Sequence, residues 1–397
     1  MSGVPFGGSV APGWEPVREA FVGNLESGEE VGCGVAAYHR GRKVVDLWGG
    51  HFDKTRDTPY SEDTLQLVFS TTKGITAIAV AICVERGLLS YDAKVSTYWP
   101  EFAAAGKSEA TVAQLLSHQC GLYTVDGELT LAEALDWSTI TARLAATNPR
   151  WEIGSTHGYH ALTYGWLAGE LVRRVDPKHR SLGRFVADEI VGPLAAELWI
   201  GLPESHEPRV SPMIGGLNQT PEDVDPAVRA MLEQFMGPNS PGGQALSLNG
   251  AFGGDGTFNR RDVHAAEIPA ANGITNARSL ARIYAATIGE VDGVRLLAPS
   301  TVETARRTVT PNGEPDACLI MPTTFGMGFM THGQFTPYAG PGSFGHPGAG
   351  GSVAFAQPER ELGFAYVMNQ MATNLANDSR AQVLTDAAAA CADAASR

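Results

Sequence analysis

The sequence predicts an α+β protein in which strands from both ends of the chain form one antiparallel sheet around a mostly helical middle. Three observations lead there. Segments with strand character cluster near the N-terminus and again after residue 325. The segments between them carry apolar residues at helical spacing. Short turns join consecutive strands, which favours antiparallel pairing. The N-terminal hairpin then pairs most simply with the C-terminal strands, and the middle is an insertion. This divides the chain into a discontinuous sheet domain, residues 1–73 and 275–397, and a mostly helical domain with long loops, residues 74–274.

In chain order, Val17, Phe21, Val22 and Leu25 recur at helical spacing and predict a helix over 13–25. Residues 33–40 and 43–48 read as strands joined at Arg40-Gly41-Arg42, a hairpin. Residues 53–64 are polar and turn-like. Over 74–86, Ile75, Ala77, Ile78, Val80, Ile82 and Val84 make a helix apolar on nearly all sides, hence buried all round. Gly87 is its stop. Residues 158–175 and 182–190 predict two further helices. Residues 203–256, rich in Gly, Pro, Asn and Ser, read as long loops with short helices, including one over 222–235. A helix over 277–288, strands over 325–330, 352–356 and 362–368, and an Ala-rich helix over 379–395 complete the chain. No internal repeat or low-complexity linker interrupts it.

Composition narrows the function. Of 397 residues, 43% are hydrophobic and 18% charged, enough for a large core and too apolar for a disordered chain. The net charge of −14, without a basic run, argues against nucleic acid and anionic membranes as partners. No apolar stretch approaches the roughly 18 residues of a membrane helix. Residues 1–17 have neither a basic nor an apolar leader segment. The cysteines (Cys33, Cys83, Cys120, Cys318 and Cys391) form no C-x-x-C pair. Reduced thiols and a cytoplasmic location are therefore expected.

Several chemistries lack their signatures. G-x-S-x-G and the P-loop are absent. Gly32-Cys33-Gly34-Val35-Ala36-Ala37 fits G-x-G-x-x-A only loosely, and inside a strand rather than after one. His264 and Glu267 lack a second histidine at helical spacing, and His157 and His160 lack a third ligand. No metal and no cofactor is expected.

Three elements remain. Ser70-Thr71-Thr72-Lys73 is an S-x-x-K tetrad where an extended apolar segment meets the buried helix. Residues three apart on a helix share a face, so the Lys73 amine can meet the Ser70 hydroxyl. The helix N-terminus offers free N–H donors to an oxyanion, and an apolar setting would lower the lysine pKa toward that of a base. The same tetrad also fits a serine cap followed by a surface lysine. Next, Tyr159 follows a Gly-containing turn and opens a predicted helix. Beside a lysine its phenol can work as an acid or base, although an ordinary core tyrosine fits equally. Last, Gly345-His346-Pro347-Gly348-Ala349-Gly350-Gly351 precedes a strand. Such glycine density lets a ligand approach the backbone, whose N–H groups could complete an oxyanion hole. A plain hairpin loop is the alternative.

In this order and context the three elements resemble those of the serine β-lactamase and penicillin-binding-protein superfamily, in its class C-related branch with the family VIII carboxylesterases. Ser70-x-x-Lys73 matches the nucleophile motif, Tyr159-His160-Ala161 the Tyr-x-Asn position, and His346-Pro347-Gly348 the Lys-Thr-Gly or His-x-Gly position. Residues 115–122, LLSHQCGL, are similar to a further family segment, and the likeness runs from about 31 to about 369.

The resemblance implies a β-lactamase-like fold, an antiparallel sheet flanked by helices packed on a helical domain, with the site in the cleft between. It implies a carboxylesterase-type serine hydrolase acting on a small-molecule ester, with short acyl chains favoured. Ser70 is then the nucleophile, Lys73 and Tyr159 together the general base and acid, and the Ser70 and Ala349 amides the oxyanion hole. His346, Gly348 and Ala161 contact substrate. An acyltransferase, a weak β-lactamase or amidase, and a catalytically silent binding module are the alternatives. His118 is expected to satisfy loop backbone groups, and a homo-oligomer is left open. Two departures argue against efficient β-lactam hydrolysis. No lysine follows Lys178, so His346 replaces the basic residue that binds a substrate carboxylate, and Ala161 replaces the asparagine.

Overall fold

The structure, a computed structural model, describes residues 3–215, 237–372 and 378–395. Strands from both ends of the chain share one seven-stranded sheet. Its strands are β1 (Phe6–Val10), β2 (Gly32–His39), β3 (Arg42–Gly50), β8 (Met330–Thr331), β9 (Phe344–Pro347), β10 (Val353–Gln357) and β11 (Leu362–Met368). The order is β1-β3-β2-β11-β10-β9-β8, and every pair is antiparallel. The two ends of the chain meet in mid-sheet, where Met368 lies opposite Cys33. Between β2 and β3, Arg40 (φ 51°) and Gly41 (φ 72°) both take left-handed backbone, the twist a two-residue hairpin needs.

All eight residues of β2 are buried because both sheet faces are covered. Cys33, Val35 and Ala37 pack with Val17, Phe21 and Leu25 of the helix Glu15–Ser27 and with Leu384 and Ala388 of the helix Ser379–Ala394. Ala36 and Tyr38 face the other core, with Leu280, Ala281 and Tyr284 of the helix Ala277–Ile288. The helix Thr72–Glu85 is buried without a break from Thr72 to Cys83, in agreement with its all-round apolar pattern. A second, four-stranded sheet was not foreseen. It joins β4 (Leu65–Leu67), β5 (Leu198–Trp199), β6 (Val210–Ser211) and β7 (Ile274–Thr275). Three of its strands have two residues, too short for any periodicity.

Other departures have local causes. β1 escaped notice because Gly7, Gly8 and Ser9 give it no apolar alternation and it lies exposed at an edge. Residues 325–329 are a tight turn rather than a strand, and of the expected strand only Met330 is extended, in β8. The Gly326 N–H donates to the Phe329 carbonyl, and Gly328 sits at φ 92°. The helix expected from residue 158 starts only at Thr163, so Tyr159 stands in the loop before it and not at a helix start. The Gly-rich stretch 345–351 begins in strand β9, and only Ala349–Gly351 forms a turn. The helix over 182–190 is α-helical to Val186 and then widens into a π turn, Ala187–Val191. The helix expected over 222–235 lies outside the described residues. Among the described residues, no helix is long and apolar enough to cross a membrane.

Candidate active site

Ser70 sits half-buried in a single 3-10 turn, Phe69–Thr71, between β4 and the buried helix. Phe69 holds φ 44°, a region few side chains other than glycine adopt. The two threonines of the tetrad stabilise this turn. Thr72 Oγ1 donates to the Phe69 carbonyl at 2.5 Å and accepts the Gly273 N–H at 2.9 Å. Thr71 Oγ1 lies 3.2 Å from Ser352 Oγ, which donates to the Val68 carbonyl at 2.9 Å. The turn that carries the serine is thereby bonded to Ser352, which leads into the strand that follows the Gly-rich stretch. Gly348 passes Val68 so closely that a Cβ there would overlap the Val68 carbonyl and Ser352 Oγ, which explains the glycine.

Lys73 is fully buried. Its Nζ lies 2.9 Å from Ser70 Oγ, 2.6 Å from the Ala161 carbonyl and 3.0 Å from the Ala270 carbonyl. Burial pushes its pKa well below the usual lysine value. Ala161 therefore meets the site through its backbone oxygen. The Tyr159 ring lies under the same amine, Nζ standing 4.8 Å from the ring centroid. Burial raises the Tyr159 pKa above the usual phenol value, a hydrogen bond with Ser70 opposes this, and the Asp316 carboxylate adds to it. Desolvation thus drives both partners toward their neutral forms, NH2 and OH.

Four buried histidines surround them, and backbone groups fix the tautomers of three, His346, His160 and His118. His346 stacks on Tyr159, with ring centroids 5.8 Å apart. Its Nδ1–H donates to the Pro347 carbonyl at 2.7 Å, so Nε2 carries a lone pair, buried and unpartnered. Burial and the nearby Lys73 hold its pKa well below the ordinary histidine value. His160 Nδ1–H donates to the Gly158 carbonyl while Nε2 accepts the Leu122 N–H, and burial pushes its pKa down to about 4. His118 Nδ1 accepts the His160 N–H at 3.0 Å. It satisfies a loop backbone group and also packs against Tyr159 and Phe325. His157 Nε2 lies 3.2 Å from Thr323 Oγ1.

The structure thus gathers Ser70, Lys73, Tyr159, Ala161 and His346 in one place, with Gly348 directly behind the serine turn. Ala349 follows in the turn whose next residue, Gly350, takes φ 82°. Ser70 and Ala349 both stand in the first turn of a short 3-10 helix, Phe69–Thr71 and Ala349–Gly351, where backbone N–H groups lack an intrahelical partner. Sequence reading missed Ala270, whose contribution is a carbonyl, and Asp316, whose carboxylate accepts the Tyr159 N–H at 2.9 Å. Neither belongs to a motif. Among the described residues, no group of three or more His, Cys, Asp or Glu side chains is placed to hold a metal ion.

Comparison with known proteins gives this arrangement its relatives. The Beta-lactamase family profile matches residues 17–389. The "Esterase/beta-lactamase LipL" of Mycobacterium tuberculosis is 36% identical over 381 residues, which covers 93% of this chain and 84% of that protein. The crystal structure of a family VIII carboxylesterase superposes with a TM-score of 0.85 at 36% identity, covering 98% of this chain and all of the other. A penicillin-binding protein homolog from Caulobacter crescentus does so with a TM-score of 0.83 at 39% identity, again over 98% and 100%. The fold is the β-lactamase-like fold, and the chain belongs to the beta-lactamase family, within the serine β-lactamase and penicillin-binding-protein superfamily.

Proposed function

We propose that the protein is a carboxylesterase-type serine hydrolase acting through a Ser70 acyl-enzyme. The observation that carries this reading is the surrounding of Lys73 Nζ: two carbonyls and one hydroxyl. A neutral amine has two protons and one lone pair. The Ala161 and Ala270 carbonyls take the protons, which leaves the lone pair facing the Ser70 hydroxyl. Lys73 is then the base in the resting enzyme, and Tyr159, a protonated phenol, is the acid. The relatives' names, an esterase/beta-lactamase and a family VIII carboxylesterase, support the same reaction class.

The steps balance as follows. Ser70 Oγ forms a bond to the ester carbonyl carbon while its proton passes to Lys73 Nζ. The carbonyl oxygen becomes an oxyanion held by the Ser70 and Ala349 N–H groups. The C–O bond to the alcohol breaks, and the departing oxygen takes a proton from Tyr159, which Lys73 reprotonates. Water then attacks the acyl-enzyme by the reverse proton path and releases the acid. His346 offers a lone pair in place of a cation. It can accept a hydrogen bond from substrate but cannot pair with a carboxylate, which disfavours β-lactams.

The test is hydrolysis of p-nitrophenyl acetate and butyrate beside nitrocefin, for the parent and Ser70→Ala. Ester turnover that disappears in the variant, with little nitrocefin hydrolysis, is expected. Ester turnover that survives Ser70→Ala would overturn the reading. Fast nitrocefin hydrolysis would overturn the role given to a neutral His346. Release of p-nitrophenol with the acyl group delivered to an added alcohol would make the protein an acyltransferase.

A further inference from the structure

We propose that Asp316 is a positioning residue that fixes Tyr159 over Ser70 and Lys73 by clamping the backbone of the tyrosine loop to a turn from the C-terminal part of the chain. The proposal rests on the acyl-enzyme reading above and goes beyond it, since no motif contains Asp316.

The Asp316 carboxylate is 1% exposed. One oxygen, Oδ1, accepts three N–H groups: Tyr159 at 2.9 Å, Cys318 at 2.8 Å and Leu319 at 2.9 Å. The other, Oδ2, accepts the Thr323 hydroxyl at 2.7 Å. With its proton directed there, Thr323 Oγ1 can only accept from His157 Nε2, 3.2 Å away. His157 is thereby set as its Nε2–H tautomer. A second tie runs from the Ala317 N–H to the His157 carbonyl at 3.0 Å. His157 and Tyr159 are both fastened to one short stretch of chain. Gly158 between them has no room for a side chain: a Cβ would stand 2.7 Å from the Trp151 ring and 3.1 Å from both Ala317 Cβ and Cys318 Sγ.

The clamping turn is itself built under strain. Ile320, a β-branched residue, takes φ 69°. Ile320 N–H donates to the Asp316 carbonyl at 2.8 Å, and the Asp316 N–H donates to the Met321 carbonyl at 3.2 Å. Strain of this kind persists only where surrounding contacts impose it, and it clusters near functional sites. A fully buried carboxylate is a costly way to satisfy three amides that a neutral acceptor could satisfy. Its placement makes sense if the tyrosine loop must not shift. The Tyr159 side chain reaches Ser70 from this anchored backbone, and a displacement of about 1 Å at a reacting group costs up to a hundredfold in rate.

The decisive experiment is a double-mutant cycle on p-nitrophenyl ester hydrolysis with Asp316→Asn and Tyr159→Phe. Asn keeps an acceptor for the amides and removes the charge. Asp316→Asn alone should lower kcat about tenfold with KM changed less than twofold. In the Tyr159→Phe background it should lower the residual turnover less than twofold, because the hydroxyl it positions is gone. An equal drop in both backgrounds, or a loss of thermal stability with kcat intact, would overturn the proposal. Should Asp316→Asn fail to fold, Thr323→Val takes its place in the same cycle. It removes only the Oδ2 bond and should lower kcat severalfold, and again only when Tyr159 is present. Ser70→Ala separates the two readings. If it keeps turnover, the acyl-enzyme reading fails and the Asp316 role with it. If it is inactive while Asp316→Asn matches the parent, only the Asp316 role fails.

Discussion

Lys73 and Lys107 are both fully buried lysines, and only one of them suits a base. Lys107 Nζ donates to three carbonyls: Ala104 at 2.8 Å, Ala145 at 3.0 Å and Thr147 at 2.6 Å. An ammonium matches them one proton to one oxygen, while a neutral amine would turn a lone pair toward one of them. Lys73 has two carbonyls and a hydroxyl. A hydroxyl accepts from an ammonium and donates to an amine equally well. Burial pushes both pKa values down, and around Lys107 the Asp126 carboxylate opposes it. Desolvation is common to both sites. The third neighbour decides whether the lysine can take up a proton, and that neighbour is Ser70.

Two substitutions test this contrast. The largest expected effect is that of Lys73→Met. Ester kcat/KM should fall by about 10^3-fold or more, since the proposed general base is lost, and the circular dichroism spectrum should be unchanged. Lys107→Met should do the reverse. It leaves three buried carbonyls without donors, and unfolding in urea should show a loss of about 3 kcal/mol or more, with parental turnover per folded molecule. Normal turnover in Lys73→Met, or a catalytic defect in folded Lys107→Met, would erase the distinction.

The smallest effect concerns a buried acid. Glu30 receives a hydrogen bond from the Tyr366 hydroxyl and lies 3.2 Å from Arg380, which also donates to the Gly350 carbonyl in the turn beside Ala349. Burial raises the Glu30 pKa from 4.5 to about 7, against the pull of Arg380. The folded state therefore binds this proton more tightly than the unfolded state. Its contribution to stability is complete below pH 4.5 and is lost as pH rises through about 7. Glu30→Gln should flatten the stability profile across this window by on the order of 1–3 kcal/mol, read from urea midpoints at several pH values. An unchanged slope would mean that Arg380 keeps Glu30 ionised throughout.

Much of the site was legible because the relation between Ser70 and Lys73 is local. A spacing of three residues, carried from the 3-10 turn into the first turn of the helix, brings a hydroxyl to an amine wherever that helix packs, and the all-round apolar pattern of residues 74–86 already placed the amine in a dry setting. The helix Ala277–Ile288 and the strand Leu362–Met368 were read to the residue because their apolar periods are unbroken. The strand expected at 325–330 failed because Gly326 and Gly328 bend an apolar run that has no periodicity to defend it.

By itself, then, the sequence determined the order of elements, the buried helix and the serine–lysine pair, all of which depend on residue type and spacing along the chain. The tertiary structure decided the surroundings of that pair. Burial lowers the Lys73 pKa, and the groups that orient the amine and its neighbouring tyrosine are distant in sequence: the carbonyls of Ala161 and Ala270, at 88 and 197 residues from Lys73, and the Asp316 carboxylate, 157 residues from Tyr159. Every residue carries a carbonyl, so a carbonyl that tunes a lysine has no signature in the sequence. Only folding selects which two of them face Lys73 and removes the water that would otherwise compete for its protons.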